Sequence, residues 1–230
     1  LTLRRGRPRQ ADILSIARDC SSASLPIVLL VNLLVGGILA FIGAVQLQRF
    51  GAEIFVADLV GIATAREMAA LITAVVLAGR LGAAFAAQLA TMQGNEEIDA
   101  LRTCGVDPVR YLALPRVLAL TLAMPFLYVC ACAVGLLGGM AVAVLLLDIP
   151  YAAYIVQTRE AVDFVQLGIG MSKSIAFAAF IAGAGCYYGL RAGRTAAAVG
   201  RAATQAVVTG IVGIIVIDAG FAVLTNALGI

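Results

Sequence analysis

The sequence predicts an all-α integral membrane protein, with an N-terminal interfacial amphipathic helix followed by five transmembrane helices. The first observation is composition, because 62% of the 230 residues are hydrophobic and only 13% are charged, about half the charged share of a soluble domain. The second is that several apolar stretches are long enough to cross a bilayer as helices. The third is that arginine-rich and arginine-poor connections alternate between these stretches.

Five apolar stretches account for the predicted spans. The second span lies in a longer apolar region, residues 54–92, which exceeds one straight span and carries four charged side chains. We therefore expect a short helix or half-helix at one membrane surface before the second span begins. The predicted spans are residues 25–47, 62–90, 117–147, 164–190 and 202–230.

The N-terminal region is predicted to differ from the rest of the chain. Residues 1–24 would form a basic segment and the interfacial helix, and residues 25–230 the five-span domain. An apolar face at helical spacing is typical of a helix in the membrane interface, and a simple lead-in to the first span is the alternative. This face is formed by Ile13, Ile16, Ala17 and Cys20. The sequence begins at Leu1 and not at Met, which leaves open whether residues precede it.

Arginine counts in the connections predict the orientation. The N-terminal segment holds five arginines, and the four connections that follow hold one, three, one and three. Cytoplasmic segments carry the excess of Lys and Arg, so we expect a cytoplasmic N-terminus and a periplasmic C-terminus. The arginines are Arg4, Arg5, Arg7, Arg9 and Arg18, then Arg49, then Arg102, Arg110 and Arg116, then Arg159, then Arg191, Arg194 and Arg201.

A compact charged segment, residues 94–111, interrupts the apolar sequence between the second and third spans. Asn95 is a favourable helix cap and Gly105 a favourable stop, which predicts a short helix from Glu96 to Cys104. The sequence shows no packing partner for this helix within its own chain, so it suits docking onto a cytoplasmic partner. A capped connecting loop is the alternative. The candidate docking residues are Glu96, Glu97, Asp99, Leu101 and Arg102.

Charged side chains within the predicted spans form a second candidate site. Each costs about 2.5–3.5 kcal/mol at mid-bilayer on insertion scales, so such residues persist where they are paired or face water. Lys173 is the only lysine, and we expect it to pair with Glu67 or Asp218. Two interpretations remain open: ion pairs that hold the helices in register, or a polar patch of a substrate cavity that meets a lipid headgroup. The candidate residues are Arg66, Glu67, Lys173 and Asp218.

The sequence lacks the residues that several functions require. The chain contains no His, and its five cysteines have no ligand-type spacing, so we expect no metal site. A P-loop is excluded because Ser172 takes the place of the Gly that must precede the lysine, and we expect no ATP hydrolysis by this chain. The sequence has no basic patch with interleaved aromatic residues, so it does not predict binding to nucleic acid.

One long motif resembles a known family. The run "GRLGAAFAAQLATMQGNEEIDALRTCGVDPVRYLALPR", preceded by "REMAALITAVVLA", is similar to the signature of the MlaE/YrbE permease family. Later, "SKSIAF" and the region around Asp218 also resemble the family. The similarity covers the chain from about Ala11 onward. Members of this family are membrane subunits of ABC transporters that work with MCE-domain proteins.

This resemblance implies a function and a set of partners. It identifies residues 95–105 as the coupling helix of a homodimeric permease, driven by a separate cytoplasmic ATPase that binds ATP and Mg. It implies transport of phospholipid or a related hydrophobic molecule between the bacterial inner membrane and a periplasmic MCE-domain protein, for outer-membrane lipid homeostasis. It leaves room for a small accessory subunit of the STAS type. The alternatives are an ion-coupled secondary transporter, a non-catalytic membrane scaffold and an enzyme that acts on lipids.

Overall fold

The described part of the chain is helical throughout. The computed structural model describes residues 10–229, with side chains from Ile13 to Gly229, and this part contains no strand. Five of its helices are long and apolar enough to cross a membrane, which confirms the predicted all-α membrane fold. The helices are α1 (Gln10–Leu47), α2 (Glu53–Gly94), α3 (Glu97–Thr103), α4 (Val109–Leu146), α5 (Tyr151–Ala161), α6 (Phe164–Leu190) and α7 (Ala196–Ala227).

Some sequence predictions fall outside the described residues. Residues 1–9 and residue 230 are not described. With them go the predicted end of the fifth span and part of the N-terminal arginine count, namely Arg4, Arg5, Arg7 and Arg9.

Helix α2 is the central element of the fold. It runs unbroken through the region where a half-helix and a separate span were predicted, so that prediction is wrong. Two π-helical turns, Thr64–Met68 and Ala78–Gly82, absorb extra residues without ending the helix. Three of the four charged residues of this region, Asp58, Arg66 and Glu67, have partners inside the protein, whereas Arg80 is exposed. Asp58, for example, accepts a 2.8 Å hydrogen bond from Gln157 of α5.

Helix α1 also continues past the predicted boundary at residue 24. Pro26 lies within it, and no break in the helix marks the start of the first span. The apolar face of its N-terminal part packs against Ala119 and Ala123 of α4 through Ile13, Ile16 and Ala17. This face is therefore covered by protein, and the placement of residues 10–24 in the membrane interface stays a prediction.

The contact between α1 and α4 depends on small residues. A Cβ atom added to Gly138 would lie 2.1 Å from the carbonyl oxygen of Leu33, and one added to Gly36 would lie 1.9 Å from that of Gly135. Backbones this close exclude any side chain at these positions, as is common where membrane helices cross.

The connections between the long helices alternate between the two ends of the bundle. At one end, Arg194 of the α6–α7 connection bonds to Glu96, which precedes α3, and to Asp99 of α3. At the other end, α5 packs on the beginning of α2, where Tyr154 is almost fully buried beside Ala57. Burial raises the pKa of Tyr154 to about 12, so this phenol stays neutral. Helix α5 was not predicted, because its sequence lacks a long apolar run.

Candidate functional site

Lys173 of α6 lies at the centre of an intramembrane charge cluster. Its side chain is fully buried, about 14 Å from the start of α6 by helical rise. The ammonium group bonds to the carboxylate of Glu67 on α2, and it lies 2.9 Å from Oδ1 of Asp218 on α7. The sequence predicted one carboxylate partner and left its identity open, whereas the structure gives Lys173 both. Three spans therefore meet at one ammonium group.

Arg66 completes the cluster and extends it toward the ends of α6 and α7. Its Nε atom lies 4.0 Å from Oε1 of Glu67. Its Nη1 atom donates to Oε1 of Gln166 over 3.2 Å, and its Nη2 atom donates to Oγ1 of Thr225 over 3.0 Å. The four predicted residues are thus brought together, with two basic and two acidic groups whose formal charges balance.

Sequence reasoning missed Gln166 and Thr225, although a signal was present. Gln166 precedes Lys173 by seven residues, and Thr225 follows Asp218 by seven residues. Seven residues are close to two helical turns, so each polar residue shares a helix face with the charge that it supports. A search for polar residues in register with the intramembrane charges would have found both.

The cluster is closed on one side and open on another. The Lys173 side chain is 1% exposed, whereas those of Glu67, Arg66 and Asp218 are 29%, 23% and 20% exposed. The lysine is therefore held by protein on every side, while the other charges reach the surface of the chain. An approaching polar group would meet the guanidinium and the carboxylates before the ammonium.

The backbone at the cluster has an unusual conformation that α4 supports. Arg66 and Glu67 lie in the π-helical turn of α2, a feature that often marks functional sites. The buried hydroxyl of Tyr128 on α4 donates to the carbonyl oxygen of Ala65 over 2.6 Å. At Gly170 of α6, an added Cβ would lie 2.3 Å from both of those oxygen atoms. Tyr128 and Gly170, which the sequence analysis missed, hold α4 and α6 against the turn.

Helix α3 forms the second candidate site, and its ends differ in part from the prediction. Gly105 has the positive φ of 73° expected at a helix stop. At the other end, Glu96 takes a left-handed conformation, and no side chain caps the helix. The Asn95 amide instead donates to Oε1 of Glu97 over 3.1 Å. The predicted stop is confirmed, whereas the predicted Asn95 cap is wrong.

The apolar face of α3 is packed against its own chain. Ile98 is fully buried in a cluster with Leu89 of α2, Leu112 of α4 and Cys186 of α6, and Leu101 packs on the same cluster. The inference that this helix lacks a partner within the chain is therefore wrong. Two apolar residues one turn apart suffice to fix a short helix once three spans converge beneath it.

Charged residues divide α3 into an inner and an outer side. Arg194 donates from Nη1 to Oε1 of Glu96 over 2.9 Å and from Nη2 to Oδ2 of Asp99 over 2.7 Å. Arg102 donates to the other oxygen of Asp99 over 3.2 Å. Of the five docking candidates, Leu101 packs inward, Glu96 and Asp99 are engaged by Arg194, and Glu97 and Arg102 present exposed charge on the outer side.

These features define a polytopic α-helical membrane protein with an internal charge cluster and a rigidly attached helix at one end. The chain belongs to the MlaE permease family. The model of this family, described as permease MlaE, matches residues 13–224. It is therefore a membrane permease of that family, as the sequence motifs predicted.

Three relatives illustrate the range of this family. A Rickettsia conorii protein named probable ABC transporter permease protein is 37% identical over 185 residues, or 80% of this chain and 71% of that protein. A Synechocystis protein of the same description is 33% identical over 190 residues, covering 81% and 72%. Protein TRIGALACTOSYLDIACYLGLYCEROL 1, chloroplastic, of Arabidopsis thaliana is 37% identical over 199 residues, covering 85% of this chain and 56% of that protein.

Proposed function

We propose that this permease is the membrane subunit of an ABC transporter that moves phospholipid, or a related hydrophobic molecule, between the bacterial inner membrane and a periplasmic MCE-domain protein, for outer-membrane lipid homeostasis. The observation that carries the proposal is the partly open charge cluster around Lys173, held among the spans of an MlaE family permease. The name of the Arabidopsis relative, which contains that of a galactolipid, supports a lipid substrate.

The cluster suits a headgroup that carries a phosphate. Arg66 offers a planar guanidinium, which binds phosphate oxygens through paired hydrogen bonds. Glu67 and Asp218 balance the two cations of the cluster within the chain. A phosphate that approaches Arg66 would compete with Glu67 for it, so the site could exchange an internal carboxylate for a substrate anion without leaving a buried charge unpaired.

Transport would be driven by a separate cytoplasmic ATPase that binds ATP and Mg. The outer side of α3, with Glu97 and Arg102, would contact this subunit, together with the exposed Val109 and Tyr111 at the start of α4. Because Ile98 anchors α3 to three spans and Arg194 ties it to the α6–α7 connection, a displacement of α3 would be transmitted to these spans together.

A second copy of the chain would complete the permease. Helix α7 is the least covered span. Only 11% of its most apolar 18-residue stretch is buried, whereas 50% of the corresponding stretch of α2 is buried. Its exposed side chains include Val208, Val212, Ile215 and Val223. An apolar face of this kind fits a homodimer around a central path. The MCE-domain protein would meet the periplasmic end, and a STAS-type subunit would bind in the cytoplasm.

The experiment that tests this function is reconstitution. The permease, purified with the ATPase that accompanies it, is placed in vesicles containing a fluorescent phospholipid, and transfer to an acceptor MCE-domain protein is followed. We expect transfer in either direction to require ATP and Mg. Transfer that ignores nucleotide would contradict the proposal.

An ion-coupled secondary transporter is the second candidate, because Lys173 lies between two carboxylates that could exchange protons. Lipid transfer that follows an imposed proton gradient, with no ATPase present in stoichiometric amount, would favour it.

A further inference from the structure

A basic cavity lies between α6 and α7, at the end of the bundle where α3 is found. Its volume is about 570 Å³, and the first turn of α7 forms part of its wall. Among the described residues no acidic side chain lines it, although Glu96 and Asp99 lie close by through their bonds to Arg194. The polar side chains that line the cavity belong to Tyr187, Tyr188, Arg191, Arg194, Thr195, Arg201 and Gln205.

The three arginines of this cavity differ in how far they are engaged. Arg194 is held by Glu96, which precedes α3, and by Asp99 of α3. Arg191 lies over the ring of Tyr187, 4.4 Å from its centroid, and donates to its hydroxyl over 2.6 Å. Arg201 is exposed and forms no ion pair with an acidic side chain in the described part of the chain. The positive end of the α7 helix dipole adds to this field, so the cavity favours an anion.

An apolar groove of about 590 Å³ continues from the basic cavity along the surface of α6 and α7. Tyr187 and Tyr188 line both the groove and the cavity. From Tyr187 the groove extends along α6 past Phe180 to Ala176, about 17 Å by helical rise. This length is close to that of one leaflet, which is half of a hydrocarbon core about 30 Å thick.

The walls of the groove are shaped by two glycines. The ring of Phe180 lies directly on Gly213 of α7, where an added Cβ would be 1.8 Å from it, so the ring forms part of the seam between the two helices. Gly183 borders open space, with no atom within 4 Å of a Cβ placed there. The groove therefore has room for an acyl chain beside Gly183 of α6.

We propose that the α6–α7 cleft, defined as this basic cavity and the apolar groove that continues it, binds an anionic phospholipid. The anionic headgroup lies between Arg191 and Arg201, and one acyl chain lies along Phe180 and Gly183. A free phosphate would occupy only the basic cavity. A phospholipid would occupy both the cavity and the apolar groove, which share a wall of two tyrosines, so we assign the site to a phospholipid. In the orientation proposed above, the cleft faces the cytoplasmic leaflet, whose anionic lipids give it a negative surface potential.

This site goes beyond the proposed transport function. It is separate from the charge cluster around Lys173, and it would hold a resident lipid whether or not that lipid is a substrate. A failure of lipid transfer would therefore leave this proposal standing, and a failure of lipid binding here would leave the transport proposal standing.

A tryptophan reporter tests the proposal directly, because the 230 residues contain no Trp. The variant Tyr187→Trp places an indole in the shared wall of the cleft, and Phe126→Trp places one on an exposed surface of α4 as the matched control. Each chain is reconstituted in phosphatidylcholine vesicles that contain either brominated phosphatidylglycerol or brominated phosphatidylcholine at the same mole fraction. We expect phosphatidylglycerol to quench the reporter at position 187 at least twofold more strongly, and both lipids to quench the reporter at position 126 equally.

Substitutions in the two parts of the cleft separate headgroup recognition from chain binding. Arg201→Ala should remove the preference for phosphatidylglycerol at position 187, whereas Arg110→Ala, which removes an exposed arginine outside the cleft, should preserve it. Gly183→Leu should fill the groove and reduce quenching by both lipids. Gly168→Leu, at another open position on α6 outside the groove, should not.

Three results would overturn the proposal. Equal quenching by the two lipids at position 187, or a preference that survives Arg201→Ala, would show that the cleft does not recognise an anionic headgroup. Absence of quenching by either lipid would show that protein, such as a second copy of the chain, covers the cleft.

Discussion

The Nζ atom of Lys173 on α6 lies 2.9 Å from Oδ1 of Asp218 on α7, and it is also bonded to Glu67 on α2. The ammonium group of Lys173 thus lies between two carboxylates. Arg66 is close to only one of them, with its Nε atom 4.0 Å from Oε1 of Glu67. The order of these contacts makes the effect of each substitution different.

Lys173→Ala should destabilise the protein, because it leaves two acids facing each other. Breaking a buried ion pair costs about 3–5 kcal/mol, and the lower part of that range applies because both acids are partly exposed. Lys173→Arg keeps the charge and should be milder. Thermal unfolding in detergent, monitored by size-exclusion chromatography, ranks the stability of wild type, Lys173→Arg and Lys173→Ala. Wild-type stability in Lys173→Ala would contradict the pairing.

Removing an acid together with Lys173 should recover stability and distinguish structure from function. Lys173→Ala with Asp218→Ala leaves Glu67 beside Arg66 and should recover more stability than Lys173→Ala with Glu67→Ala. If the ammonium also meets lipid, the better-folded double variant should still fail in ATP-dependent lipid transfer. Full transfer by that variant would leave the cluster with a structural role alone.

Glu97 and Ile98 are neighbours in α3 that should respond in opposite ways. Glu97→Lys changes the exposed outer side, so we expect normal thermal stability with reduced ATPase association and transport. Ile98→Ala empties a fully buried site and should cost about 2–5 kcal/mol of stability. Unchanged copurification and transport in Glu97→Lys would show that the ATPase docks elsewhere.

Cys104 provides a test of orientation without any substitution. It is exposed at the end of α3, whereas Cys20, Cys132 and Cys186 are buried and Cys130 is partly covered. A membrane-impermeant maleimide should therefore label Cys104 in inverted vesicles and leave it unlabelled in intact spheroplasts. In a Cys104→Ser background, Tyr151→Cys at the opposite end should show the reverse pattern. Labelling of both positions from one side would contradict the five-span topology.

Gly138 should tolerate substitution far less than Gly183. An added methyl at Gly138 would meet the carbonyl oxygen of Leu33 at 2.1 Å, whereas one at Gly183 enters open space. Forcing extra atoms into a packed contact costs about 1–3 kcal/mol or more, so Gly138→Ala should lower the unfolding temperature while Gly183→Ala leaves it near that of wild type. Equal unfolding temperatures would show that α1 and α4 can separate easily.

Features that depend on a short stretch of sequence were predicted correctly. The number of spans follows from apolar length, because a helix of about 20 apolar residues satisfies its own backbone wherever it lies in the membrane. The stop at Gly105 follows from the left-handed backbone that glycine adopts readily. The intramembrane charges were found because each is costly on its own, which marks it as functional or paired before any partner is known.

Features that depend on contacts between distant residues were decided by the tertiary structure alone. The sequence could not choose between Glu67 and Asp218 for Lys173, because desolvation drives a buried ammonium toward any carboxylate within reach, and only the packing of α2, α6 and α7 brings both within reach. The same holds for Ile98: its helix looks unsupported in the sequence, yet three spans converge to bury it. Helix length and local conformation are properties of consecutive residues, whereas the partners of a charge or an apolar side chain depend on how the helices pack.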